Sequence, residues 1–238
     1  MLPFTQQQFI FVFSVYNGAI WPLQPIVHGA GLLMLTLLVR PSRTSEKLSL
    51  VLLAAMWIWT GLVYQIGFFS RINPVALLFG AAFVFQGVLL LEAALRGRLT
   101  FGPARGLRRS MGWALMMYSL LLYPLLGFAL GAHYFELPAF GLTPCPVTLT
   151  TVGVLLLASR PVPRRLYFIP LMWAVVGGSA AVLLRMPQDG VLLLTPVLLV
   201  VLAVYEHVAG LTSHSVVTAG SLSSAYPAPR KMREGQRR

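Results

Sequence analysis

Seven long stretches of this chain carry no charged side chain, and that leaves few ways to fold. They run over residues 17–39, 48–69, 74–91, 111–131, 142–159, 166–184 and 190–205. A bilayer core of about 30 Å takes roughly 20 apolar residues as a helix. Backbone polar groups left unpaired in lipid are too costly to keep, so only helices or a closed barrel span it. These stretches are continuous Leu, Val, Ala and Phe runs without the period-two alternation of barrel strands. The expected fold is therefore an all-α integral membrane protein of about seven transmembrane helices. Composition agrees: 57% of the 238 residues are apolar, only 10% are charged, and the mean hydropathy is +0.78. Soluble domains carry about 25% charged residues, so a soluble enzyme or cytosolic binding domain is excluded.

The net charge of +12 comes from 18 Lys and Arg against 6 Asp and Glu. In a soluble protein such an excess points to nucleic acid. Sorted by loop, it reads differently. Arg40, Arg43 and Lys47 follow the first stretch; Arg96, Arg98, Arg105, Arg108 and Arg109 follow the third; Arg160, Arg164 and Arg165 follow the fifth. Arg230, Lys231, Arg233, Arg237 and Arg238 close the chain, and only Arg71 and Arg185 fall on the other side. Sixteen of eighteen on one side is the positive-inside pattern, with some contact to anionic lipid. It predicts an outside N-terminus, a cytoplasmic C-terminus and no nucleic-acid partner.

Three regions are expected. Residues 1–16 have no charge and no basic leader before their apolar run, which argues against a cleavable signal peptide. Instead Thr5 and Gln8 form a T-x-x-Q capping box, with Phe4 and Phe9 placed as its hydrophobic staple. The segment reads as an amphipathic helix lying in the outer interface, or tucked back among the spans, and broken at Asn17-Gly18. Residues 17–211 form a single bundle. Residues 212–238, rich in Ser, Thr, Ala and Pro and then basic, read as a disordered cytoplasmic tail.

Polar side chains inside a membrane must find partners or serve a purpose. Most of them collect near one depth, at the side away from the arginines. Tyr16, Asn17, Trp21, Tyr64, Asn73, Tyr123, Cys145, Gln188 and Asp189 all fall there. They form a candidate outward-facing polar vestibule. Each also has a structural reading. Tyr and Trp populate interfacial belts, Asn73-Pro74 and Asp189-Gly190 suit helix starts, and Asp189 has Arg185 as a nearby partner. Trp57, Thr60, Tyr64 and Phe68 form one stripe suited to helix packing, as do the Gly177/Ala181 and Ala174/Gly178 pairs. His28 reads as a neutral, hydrogen-bonded histidine.

Cys145 is the only cysteine, so neither a disulfide nor a thiolate-only metal site is possible. Flanked by Pro144 and Pro146, it lies where two backbone donors are missing. Cys145, His133 and Met186 make a weak soft-metal alternative; an inert thiol in a kinked helix is the default. No nucleophile–base pair, G-x-x-x-x-G-K-[ST] or H-E-x-x-H motif occurs. The last stretch has no lysine for a retinal Schiff base, and the histidines lie at different depths, unsuited to transmembrane haem. No catalytic residue and no cofactor is expected, and an enzyme is disfavoured.

Several motifs occur together in order: Pro3-Phe4-Thr5 with Phe9, Tyr16-Asn17 with Trp21-Pro22, and Trp59 with Tyr64. Ile72-Asn73-Pro74 with Leu78-Phe79-Gly80, Tyr123-Pro124, Pro144-Cys145-Pro146 and Gln188-Asp189 continue the series. Over residues 3–205 the chain resembles an uncharacterised family of bacterial multipass inner-membrane proteins, a domain of unknown function. The resemblance implies a bacterial inner-membrane location and brings no catalytic residues. Residues 73–102 alone are similar to the acetate/succinate channel family, which has six helices and a fuller Asn-Pro motif. The leading functional expectation is a transporter or channel for a small solute or ion. Its alternatives are an accessory subunit of a membrane complex, with a homo-oligomer or membrane partner, and a membrane-embedded enzyme.

Overall fold

The computed structural model describes residues 2–102, 106–159 and 162–224, with side chains up to residue 208. Its described residues are helical apart from turns and one isolated bridge, Phe101 with Ala158. In chain order the helices are α1 (Gln6–Ala19), α2 (Leu23–Val39), α3 (Arg43–Trp59), α4 (Ala76–Leu95), α5 (Leu107–Met117), α6 (Tyr123–Ala129), α7 (Pro144–Leu156), α8 (Arg165–Leu183) and α9 (Gly190–Ser224). A π-helical segment, Thr60–Phe68, extends α3, and another, Tyr118–Leu122, joins α5 to α6. Among the described residues five helices are long and apolar enough to cross a membrane: Arg43–Arg71, Ala76–Leu95, Leu107–Ala129, Arg165–Leu183 and Pro187–Val208. α1 and α2 add a sixth if counted as one broken span. The molecule is an all-α, multi-pass membrane protein.

Local chemistry explains the first bend. Thr5 accepts the Gln8 amide at 3.2 Å while Gln8 Oε1 accepts the Thr5 amide at 2.8 Å, closing the capping box. Phe4 and Phe9 stack with centroids 5.8 Å apart, the staple that fixes how the chain enters α1. α1 then runs through Asn17-Gly18, where a break is expected, and ends at Ala19. The chain turns by 88° before α2. Pro22 supplies the reason: it has no N–H, and it disfavours helical backbone at Trp21. The buried side of α1 (Val12, Phe13, Tyr16 and Asn17) packs against the bundle.

The loops carrying the arginines converge at one end. Glu92 meets Arg96 at 3.1 Å, Arg98 at 3.5 Å and Arg165 at 2.7 Å. The Phe101 amide donates to Glu46 at 2.7 Å, and the Ser159 amide to the Thr100 carbonyl at 2.7 Å. Three loops far apart in sequence thus share this basic end.

α7 differs most from expectation. Residues 142–159 suggest a span, yet the helix has 13 residues, about 20 Å at 1.5 Å per residue against a core of about 30 Å. Every one of its residues is buried, so protein rather than lipid surrounds it, and irregular backbone at its ends is tolerated. Close approach makes this possible. A Cβ on Gly112 of α5 would lie 2.8 Å from the Gly153 carbonyl, and one on Gly153 would lie 2.8 Å from the Gly112 carbonyl. Polar groups tie the helix in: Trp57 Nε1 donates to Thr151 Oγ1 at 2.6 Å, and Ser119 Oγ to the Pro146 carbonyl at 2.7 Å.

Internal contacts divide the chain into residues 1–197 and 198–238. α9 begins in the first unit and continues to Ser224, so residues 212–224, expected as tail, are helical. No proline interrupts them before Pro227. The rest of the expected tail, 225–238, lies outside the described residues.

Candidate functional site

Away from the basic end, a cavity of about 490 Å³ lies between residues of α4, α8 and the N-terminal segment. Its inner edge is aromatic: Trp173 of α8 meets Phe79 and Phe83 of α4 edge-on, with centroids 5.3 and 5.1 Å apart. The wall contributed by α8 includes the small residues Gly177, Ser179, Ala180 and Ala181, which leave room between Trp173, Val175, Val176 and Leu183. The opposite side is an aromatic roof. Phe4, Phe9 and Phe13 from the N-terminal segment pack on Tyr64 and Phe69 with centroids 5.2–5.8 Å apart.

Four of the nine vestibule candidates, Tyr64, Asn73, Cys145 and Asp189, line this cavity. They come from four different parts of the chain, and the antiparallel pairing of α3 with α7 explains part of the match. Trp57 bonds Thr151, so two turns along α3 from that contact Tyr64 comes level with Cys145. Asn73 also caps locally, its Oδ1 accepting the Val75 amide at 3.2 Å. Asp189, only 2% exposed, accepts the hydroxyl of Tyr123. Cys145 and Asp189 line the same cavity. Among the described residues no Lys or Arg forms an ion pair with Asp189; Arg185 is exposed.

The other five candidates lie elsewhere. Tyr16 donates to the Leu142 carbonyl at 2.7 Å and accepts from Trp59 Nε1 at 2.9 Å. Asn17 Nδ2 donates to the Phe135 and Leu137 carbonyls, each at 2.8 Å. Trp21 is exposed against Tyr134 and Phe135. These three fasten α1 to the segment before α7. Tyr123 stands behind Asp189, and the Gln188 carbonyl accepts the Tyr118 hydroxyl at 2.7 Å. Of the nine, only Tyr64, Asn73, Cys145 and Asp189 face the cavity.

The character of the space also differs from a polar vestibule, because its walls are mainly apolar. Trp173, Thr143, Ser179 and the three N-terminal phenylalanines belong to it and were absent from the sequence-derived set. The small-residue pattern on α8 held a signal, since small residues leave room as readily as they permit packing. Gly178 does pack, a Cβ there meeting the Leu193 amide nitrogen at 3.0 Å, whereas Gly177 and Ala181 face the cavity. The buried indole N–H of Trp173 has no hydrogen-bond partner among the described residues.

The soft-metal set does not assemble at the cavity. His133 is exposed in a 3-10 turn where its amide bonds Glu136 at 3.0 Å, and neither His133 nor Met186 lines the space beside Cys145. Among the described residues no three His, Cys, Asp or Glu side chains converge. His28 faces a separate groove beside Pro124 and Phe128, its Nδ1 3.3 Å from the Gln24 carbonyl.

Residues 6–212 match the model of a family of unknown function, DUF6064. No curated protein matches the chain. No solved structure matches it.

Proposed function

The chain belongs to the DUF6064 family of unknown function, and we propose that it is a membrane transporter that binds a small solute in the cavity beside Asp189. One observation carries this reading. A buried carboxylate that accepts a tyrosine hydroxyl, with no Lys or Arg paired to it among the described residues, borders an apolar space of about 490 Å³. Ligand pockets are of this size and kind, mostly apolar with a few placed polar groups. An ionisable side chain at membrane depth is costly to keep without a purpose. The apolar walls favour a molecule over a bare ion, which would need more oxygen ligands.

Charge distribution supports a cytoplasmic basic end, with the cavity in the outer half of the membrane. Toward the basic end Trp57, Phe83, Leu90 and Leu155 belong to one packed core. That closure fits one state of an alternating-access carrier better than an open channel.

The test is native mass spectrometry of the protein extracted with its own membrane lipids. A bound small-molecule mass is expected in the wild type and absent from Ala181→Trp, whose indole fills the cavity. An empty wild type that instead carries a stoichiometric protein partner would overturn the reading in favour of an accessory subunit.

A further inference from the structure

The mouth of the cavity lies on a lipid-facing surface. Beyond Arg165 at the basic end, the exposed positions on α8 are Phe168, Val175, Val176, Ser179, Val182 and Leu183, an uncharged stripe along the span. Four of them, Val175, Val176, Ser179 and Leu183, also line the cavity. Across the gap stands Val75 at the start of α4, 52% exposed. A stripe of this kind on a membrane-spanning helix faces acyl chains. The route from water on that side is covered by the aromatic roof, whose Phe4, Phe13, Tyr64 and Phe69 are each less than a tenth exposed. Polarity rises inward: Val and Leu at the rim, then Tyr64, Asn73, Thr143, Cys145 and Asp189, all buried.

We infer that the ligand reaches this cavity sideways from the lipid and is a single-chain amphiphile with a hydrogen-bond-donating head, an amine or a hydroxyl. The chain lies against the small-residue wall of α8 and extends through the rim into the leaflet. The head goes to Asp189, whose carboxylate has acceptor capacity left after the Tyr123 hydroxyl. No cationic side chain pairs with that carboxylate among the described residues, so a donor head supplies what the site lacks, whereas an anionic head would be repelled. This inference rests on the proposal that the cavity binds a small molecule. It adds the ligand's class and its route.

The experiment uses the full chain in phosphatidylcholine vesicles and two probes. One is a long-chain alkylamine with a mid-chain diazirine; the other is a short, water-soluble amine with the same diazirine. After irradiation, cross-links are mapped by mass spectrometry. The long probe is expected to label α8 around Trp173–Ser179, and the short one to leave it unlabelled. Asp189→Asn should lower that labelling about tenfold, the loss of a charge-assisted hydrogen bond. Ser179→Trp, at an exposed position that leaves the packed interior intact, should block the mouth and lower it similarly. Cavity labelling by the short probe alone would overturn the lipid route while leaving a water-borne ligand for the same cavity. Labelling by neither probe would overturn both. Equal labelling by a headless alkyl diazirine would overturn the role given to Asp189.

Discussion

Tyr123→Phe isolates the contact that holds the cavity's carboxylate. The ring of Tyr123 is 1% exposed and edge-on to Tyr118 with centroids 6.2 Å apart, contacts that phenylalanine keeps. Only the hydroxyl that donates to Asp189 is lost. Hydrogen bonds between helices in lipid average about 0.6 kcal/mol, and bonds to charged groups give about 1.5–3 kcal/mol. With both partners buried, a loss of about 1–2 kcal/mol is expected, roughly 2–8 °C in Tm for a chain of this size. Comparison with Asp189→Ala makes the test specific. Once the carboxylate is gone the hydroxyl has nothing to satisfy, so Tyr123→Phe in that background should cost under about 0.5 kcal/mol. Thermal unfolding of the four proteins in one mild detergent gives the coupling. Equal costs of Tyr123→Phe in both backgrounds would refute the reasoning.

Other contacts yield further expectations. Gly112→Ala places a methyl group 2.8 Å from the Gly153 carbonyl, so α5 and α7 must separate, at about 1–3 kcal/mol in unfolding assays. Gly18→Ala, with nothing within 4 Å, should be neutral or stabilise α1 by up to about 1 kcal/mol. Thr5→Ala removes the α1 cap and should cost about 1 kcal/mol, read most directly as faster hydrogen exchange in the first turn of α1. Glu92→Gln breaks three ion pairs, but the arginine side chains are 34–61% exposed. Its cost should stay below about 1 kcal/mol and shrink in high salt.

The parts of the structure that the sequence announces are those governed by local chemistry or by charge. Thr5, Gln8, Phe4 and Phe9 carry a cap and staple readable from spacing alone, and the arginines mark the loops that meet around Glu92. Asn73, Cys145 and Asp189 share a depth, and depth follows from counting residues along each helix. Which way a side chain points does not. Tyr16, Asn17 and Tyr123 lie at the same level as the cavity residues and turn toward backbone carbonyls or the back of Asp189. α7 was hidden for a related reason. A helix apolar on every side reads the same whether lipid or protein surrounds it, and only its 13-residue length separates the two. The roof was unreadable because Phe4, Phe9 and Phe13 meet Tyr64 and Phe69 across more than 50 residues of chain.

The wild-type chain carries its own reporter for the central claim, since Cys145 is the single thiol and sits in the cavity wall. The direct measurement is its rate of modification in sealed vesicles by an uncharged, lipid-soluble maleimide and by a charged, impermeant one. A cavity that opens to lipid beneath an aromatic roof predicts reaction with the lipid-soluble reagent, slowed by a long-chain amine. It also predicts protection from the charged reagent applied to either side. Rapid modification by the charged reagent from the aqueous phase would contradict it.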